Sequence, residues 1–224
     1  MSSDPLEIRR GTGRVFPTMF VPPTEDTDPQ TLFPPSGRCP MDRYRHRDDA
    51  RKVLIYTDGA CSNNGQPNPK AAWAFVFKPT IGGAKGSVSS RLENKGPFGD
   101  IGNQTGNRAE LRAVLAALRF RCWDGEGFNT VVVATDSEYV ALGATRWVRT
   151  WVGNGWRTST GAVKNRDLWE MLLGELETLD SYGVKVQFWR IPRELNCKAD
   201  KAAKLAARVA GNRDEFTDCF GALV

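Results

Sequence analysis

Histidine is almost absent from these 224 residues: His46 is the only one. No credible Ser/His/Asp or Cys/His set can therefore be assembled for nucleophilic catalysis. The five cysteines, Cys39, Cys61, Cys122, Cys197 and Cys219, are odd in number and widely spaced, with no C-x-x-C pair. That argues against zinc or a redox pair and suits a reducing compartment. No uninterrupted apolar run approaches the thickness of a bilayer. The opening MSSDPLEIRR lacks the apolar stretch of a secretory signal, so nucleus or cytoplasm is the expected address, with the mitochondrion left open. The glycines of residues 81–86, IGGAKG, do not have the spacing of a phosphate-binding Walker loop.

What remains is the balance of a globular protein, 25% charged and 40% apolar. The length allows one ordinary domain and an appendage. Eight of the 13 prolines fall within residues 1–50, in phrases without helical or strand period. This stretch reads as a largely extended or disordered leader. It holds seven Lys/Arg against eight Asp/Glu, whereas the remainder holds 24 against 18. The basic part is thus the globular part, which suits a polyanionic partner. A domain over 51–211 and a C-terminal tail over 212–224 complete the division.

Within the domain, VLIY after Lys52 is a β-branched and aromatic run ended by Thr57-Asp58-Gly59, the mark of a buried first strand. Residues 71–78 and 86–93 read as second and third strands of an antiparallel meander. Thr105 can cap a helix in which Leu111, Val114, Leu115 and Leu118 recur at three and four, with an end near Asp124-Gly125. TVVVAT at 130–135 is apolar on both faces and so central in a covered sheet. A short helix from Ser137, a Trp-rich segment, a helix over 166–179, a strand over 184–190 and an alanine-rich helix over 196–210 follow. The order implies an α/β fold, a mixed five-stranded sheet with helices on both faces.

Asp58 sits at or just beyond the middle of the first strand, where its apolar run stops, and Asp136, in the matching phrase T-D-S, ends another. A buried ionised carboxylate is costly without a partner, and two side by side repel unless a cation lies between them. Standing alone, Asp58 would serve equally well as a turn former. Glu110, on the first helix turn, and Asp200, in NCKADKAAKLAA, are unremarkable singly, and spacing alone does not aim their helices at the strand ends.

The phrases YTDGACSNNG, TGNRAELRAVLAAL, TDSEYV, WVRTWVGNGWRTSTGAVKNRDLW and N-x-x-A-D-x-x-A-x-x-A occur in order. Over about residues 51–210 the chain resembles type 1 ribonuclease H, especially the cellular eukaryotic enzymes. The resemblance implies a ribonuclease H-like fold in which Asp58, Glu110, Asp136 and Asp200 converge on two Mg²⁺ ions, with Mn²⁺ able to substitute. It implies endonucleolytic cleavage of the RNA strand of RNA/DNA hybrids, leaving 5′-phosphate and 3′-hydroxyl ends. The well-known members carry a histidine on a loop ahead of the last aspartate, whereas FWRIPRELNCKAD has none. It looks like the histidine-less branch, in which Arg193 approaches the reacting phosphate and Glu194 is the competing candidate. His46 lies in the leader and reads as an exposed bystander.

From Arg146 to Arg166, both included, there are five Lys/Arg and no acid, with Trp147, Trp151 and Trp156 interleaved. These tryptophans can pack their own subdomain, meet sugars of the DNA strand, or do both. Arg149, Arg157 and Lys164 would add salt-sensitive phosphate affinity. The same resemblance makes Thr105 and Asn165 candidates for a DNA-phosphate pocket, and Cys61, Asn64 and Asn107 for minor-groove contacts. Gly106 and Glu138 depart from the family pattern, and Glu138 would set an acid beside the RNA path. The alternative reading is a weak or inactive nucleic-acid-binding module of the same fold. Neither a membrane nor an obligate protein partner is indicated, and a monomer is expected.

Overall fold

A computed structural model describes residues 7–35, 42–80, 82–83 and 85–221. In chain order the strands are β1 (Thr18–Met19), β2 (Tyr44–His46), β3 (Asp49–Ser62), β4 (Lys70–Val76), β5 (Ser87–Arg91), β6 (Thr130–Thr135), β7 (Arg157–Thr158), β8 (Gly161–Ala162) and β9 (Lys185–Arg190). The helices are α1 (Pro29–Leu32), α2 (Gly106–Arg119), α3 (Glu138–Leu142), α4 (Val148–Gly153), α5 (Arg166–Ser181) and α6 (Cys197–Ala207). A π-helical turn at Gly143–Trp147 joins α3 to α4, and a 3₁₀ turn at Arg193–Leu195 precedes α6.

The expected meander forms: β3 pairs antiparallel with β4, and β4 with β5. On its other side β3 runs parallel to β6, and β6 parallel to β9. Two short strands join these five, so the main sheet runs β1-β9-β6-β3-β4-β5 with β2 also on β3. Side chains alternate along a strand, and here they divide the core. Val53, Ile55, Val131 and Val133 pack with α2 and α5, while Leu54, Tyr56, Val132 and Ala134 belong to a cluster on the opposite face.

The Thr105 hydroxyl accepts a hydrogen bond from the Arg108 amide at 3.3 Å and starts α2. The helix ends at Arg119, short of the expected Asp124-Gly125. Past it the chain turns so that Trp123 is buried and its indole N–H donates to Leu118 O at 3.0 Å. Three arginines of α2 are buried rather than solvated, and each meets acids: Arg108 with Asp167, Arg112 with Glu93, and Arg119 with Asp218 and Glu175. Burial of a guanidinium requires such pairing. Two of these arginines also hold the tail, which carried no sequence signal. Arg112 donates to Thr217 O at 2.7 Å and lies over the Phe216 ring, while Arg119 grips Asp218.

Residues 1–50 were expected to be largely extended or disordered. The described parts, 7–35 and 42–50, have little regular structure but are packed on the domain. Phe20, Leu32, Phe33 and Tyr44 are buried in the cluster with Leu54, Tyr56, Val132 and Trp189. His46, expected to be exposed, is partly covered and meets the Phe33 ring edge-on at 5.0 Å. The prolines that suggested disorder suit an irregular covering segment equally well, because neither state has a period. Among the described residues no helix is long and apolar enough to cross a membrane.

Phe33 is fully buried, so Phe33→Ala should cost about 3–5 kcal/mol in urea unfolding. A loss below about 0.5 kcal/mol would mean that this segment does not cover the sheet.

Candidate active site

The parallel register of β3 and β6 sets Tyr56 beside Ala134. Two residues further along both strands come Asp58 and Asp136. Strand alternation puts Asp58 on the face of Leu54 and Tyr56, the face that also packs Ala199 of α6. Asp58 is 6% exposed. Burial and then the Asp136 charge push its carboxyl up to about 7, with Glu110 and Asp200 adding to the effect and the Gly59 amide opposing it.

Glu110 reaches the same place because Gly59 has no side chain. A Cβ on Gly59 would fall 2.2 Å from Glu110 N and 2.5 Å from Ala109 C. Backbone can therefore lie on backbone, and α2 rests directly on β3 at Ala109–Glu110, just past its first turn rather than on it as expected. Burial pushes Glu110 up, while a hydrogen bond from the Ser137 hydroxyl opposes it. Asp136 is held by Asn196, a fully buried amide whose Nδ2 donates to Asp136 Oδ1 at 2.6 Å and to Thr57 O at 3.0 Å. One side chain thereby ties β3 and the residue after β6 to the start of α6. Asp200 is partnered by Lys204 Nζ at 2.8 Å and Arg193 Nη2 at 3.2 Å. Burial would raise its carboxyl, but these two cations outweigh it and hold it below the usual range.

The four carboxylates line a cleft of about 510 Å³ together with Cys61, Asn64, Arg193 and Lys204. Among the described residues no three potential ligands close into a ready-made ion cage. The acids ring an open cleft instead. As a donor set they fit Mg²⁺, which takes hard oxygens from one or two carboxylates and retains waters.

The ribonuclease H family model matches residues 50–208. The chain belongs to the ribonuclease H family, type 1. A ribonuclease H of Anaplasma marginale is 40% identical over 156 residues, covering 68% of this chain and 88% of that one. Ribonuclease H1 of Rattus norvegicus is 30% identical over 193 residues, covering 85% of this chain and 58% of its own length. Among solved structures, LC9-RNase H1, described as a type 1 RNase H with the type 2 active-site motif, is 26% identical with a TM-score of 0.50, covering 70% of this chain and 72% of that one. The chain is thus a ribonuclease H enzyme with the ribonuclease H-like fold.

Of the two candidates in the histidine-less segment of this ribonuclease H, Arg193 lines the cleft and Glu194 is exposed outside that lining. Thr105 and Asn165 each meet Arg108, at opposite ends of it: the Thr105 hydroxyl accepts from its amide, and Asn165 Oδ1 lies 3.5 Å from its Nη1. Asn107 is exposed on α2. The tryptophans differ in placement. Trp147 is 36% exposed, Trp151 is partly buried against Trp169 at 5.6 Å, and Trp156 is buried in the core. Arg149, Arg157 and Lys164 are exposed. Glu138 is paired with Arg190 at 2.8 Å, so its charge is balanced locally.

Sequence reasoning missed the supporting residues. Ser137 was visible only as a helix cap, yet its hydroxyl serves both Val140 N and Glu110. Asn196 was visible only within the N-x-x-A-D phrase. Lys204 follows Asp200 by one helical turn, a spacing that brings side chains together and could have marked it. Tyr139 accepts hydrogen bonds from both Asn165 and Trp169 and had no distinguishing pattern.

Gly59→Ala should force α2 off β3 and misplace Glu110, lowering ribonuclease H activity by about 100-fold. Wild-type turnover by that variant would show that the helix does not depend on this contact.

Proposed function

We propose that this chain hydrolyses the RNA strand of RNA/DNA hybrids internally, leaving 5′-phosphate and 3′-hydroxyl ends. Asp58, Glu110, Asp136 and Asp200 would hold two divalent ions, Mg²⁺ or in its place Mn²⁺. The observation that carries this reading is the crowding at Asp58, a buried carboxylate with Asp136 beside it, which the Gly59 amide and Arg193 do not offset. Like charges so placed favour a cation between them. When bound, the ions supply an activated water and stabilise the leaving 3′-oxygen.

The remaining tasks fall to this chain's side chains. Ser137 and Asn196 hold Glu110 and Asp136 in orientation before any ion arrives. Arg193 stays protonated and so is no general acid or base; it orients a phosphate oxygen and balances charge developing there. Its place in the cleft lining supports it over Glu194. The exposed Arg149, Arg157, Lys164 and Trp147 support a grip on the DNA strand, with Trp151 and Trp156 chiefly stiffening that segment. Thr105 and Asn165, each in contact with Arg108, are suited to a DNA phosphate. Cys61, Asn64 and Asn107 are suited to the minor groove, where 2′-hydroxyls distinguish the RNA strand. The enzyme would act as a monomer in the nucleus or cytoplasm.

A labelled RNA/DNA duplex should be cut internally with Mg²⁺ or Mn²⁺, and matched RNA/RNA and DNA/DNA duplexes should not. Asp58→Asn and Asp136→Asn should abolish cleavage while keeping fold and hybrid binding, and Arg193→Ala should lose more activity than Glu194→Ala. Hybrid binding without cleavage by the unaltered chain would favour a binding module instead. Greater loss in Glu194→Ala would move the reacting role to that residue.

A further inference from the structure

Residues 9–16 lie outside the family match at 50–208, yet they are fastened to two helices of the domain. Glu177 of α5, whose side chain is fully buried, is the anchor. Its Oε1 accepts from the Thr12 amide and hydroxyl, both at 2.7 Å, and from the Gly13 amide at 3.0 Å, while Arg9 meets Oε2 at 3.0 Å. Gly11 and Gly174 interlock. A Cβ on Gly11 would fall 2.2 Å from Gly174 N, and one on Gly174 would fall 2.4 Å from Arg9 O. A buried carboxylate that depends on these donors does not release them cheaply, so the segment is a fixed strap.

From that anchor the strap reaches α4, inside the acid-free basic stretch. Gly13 has φ +78° and leaves no room for a side chain beside Val152, whose Cγ1 would lie 2.8 Å from a Cβ there. Three residues on, the Phe16 ring lies beneath the Arg149 guanidinium at 4.4 Å. Among the described residues the Arg149 guanidinium has no ion pair and no hydrogen bond. A guanidinium stacked on a ring loses rotameric freedom but keeps its N–H donors at the edge, available to an anion.

We infer that Phe16 is a positioning residue for hybrid binding: its ring, held by the strap on α5, pre-sets Arg149 to meet a phosphate of the nucleic acid. This rests on the reading above that the basic segment grips the hybrid. A side chain ordered before binding spares part of the entropy cost of ordering it in the complex.

The test uses the full chain and steady-state cleavage of a hybrid. Phe16→Leu keeps apolar volume but loses the ring; it should raise KM about two- to fivefold with kcat unchanged, as expected for loss of an exposed cation–π contact. Phe16→Trp should restore the wild-type KM. In an Arg149→Ala background, Phe16→Leu should add nothing. Unchanged KM in Phe16→Leu, when Arg149→Ala raises it, overturns the inference alone. So does a Phe16→Leu effect that persists in full without Arg149. Wild-type KM in Arg149→Ala overturns the inference and the assigned grip at that residue together.

Discussion

Asp58, inside β3, and Asp136, one residue past β6, stand on two neighbouring parallel strands, so the sheet itself brings two negative charges together, and Asp58 is largely shut off from water. Arg193, in the cleft lining, attracts both carboxylates but does not outweigh burial and repulsion at Asp58. Its carboxyl is instead pushed up to about 7 from an ordinary value of 3.8. Without a cation this group favours the folded state fully only below about pH 4, and that contribution is lost as pH rises through 7. The arrangement is tolerable at neutral pH with a proton or a cation in the cleft, and a cation leaves the carboxylates ionised for chemistry.

Much of the remaining structure keeps that crowding in place. Gly59 lets α2 approach closely enough to add Glu110. The outer side of α2 is then held by buried arginine pairs, including those to Glu93 and to Asp218 of the tail. Asn196 spans from Thr57 to Asp136 and so couples the start of α6, and with it Asp200, to β3 and the residue after β6. The proline-rich segment covers the sheet face that α6 leaves open, with Phe20 and Phe33 against Trp189. Segments outside the matched region therefore support the geometry inside it.

The five main strands, the capped α2 and the helices α5 and α6 were legible because their apolar residues repeat with the period of the element they form. Asp58 and Asp136 stood out because an acid at the end of an apolar run breaks that pattern. Glu110 and Asp200 did not, since an acid on an amphipathic helix is ordinary, and only the family resemblance drew them in. The packing of the leader and tail was not legible for a related reason: they pack through isolated anchors such as Phe33, Phe216 and Asp218, which have no period to detect. Buried Arg108, Arg112 and Arg119 likewise look like solvated charges until their acids arrive from distant segments. The tryptophan segment left two readings open, and burial divides them, with Trp156 inside and Trp147 at the surface.

The central claim is that a divalent cation takes the place of a proton at Asp58. Titration calorimetry with Mg²⁺, run in buffers of different ionisation enthalpy, measures the protons released on binding. About one proton should leave per chain at pH 6, where the Asp58 carboxyl is mostly protonated, and almost none at pH 9, where it is ionised. Asp58→Asn should cut the release at pH 6 to the smaller share left to Glu110. Release that does not change with pH, or that persists undiminished in Asp58→Asn, would contradict the account.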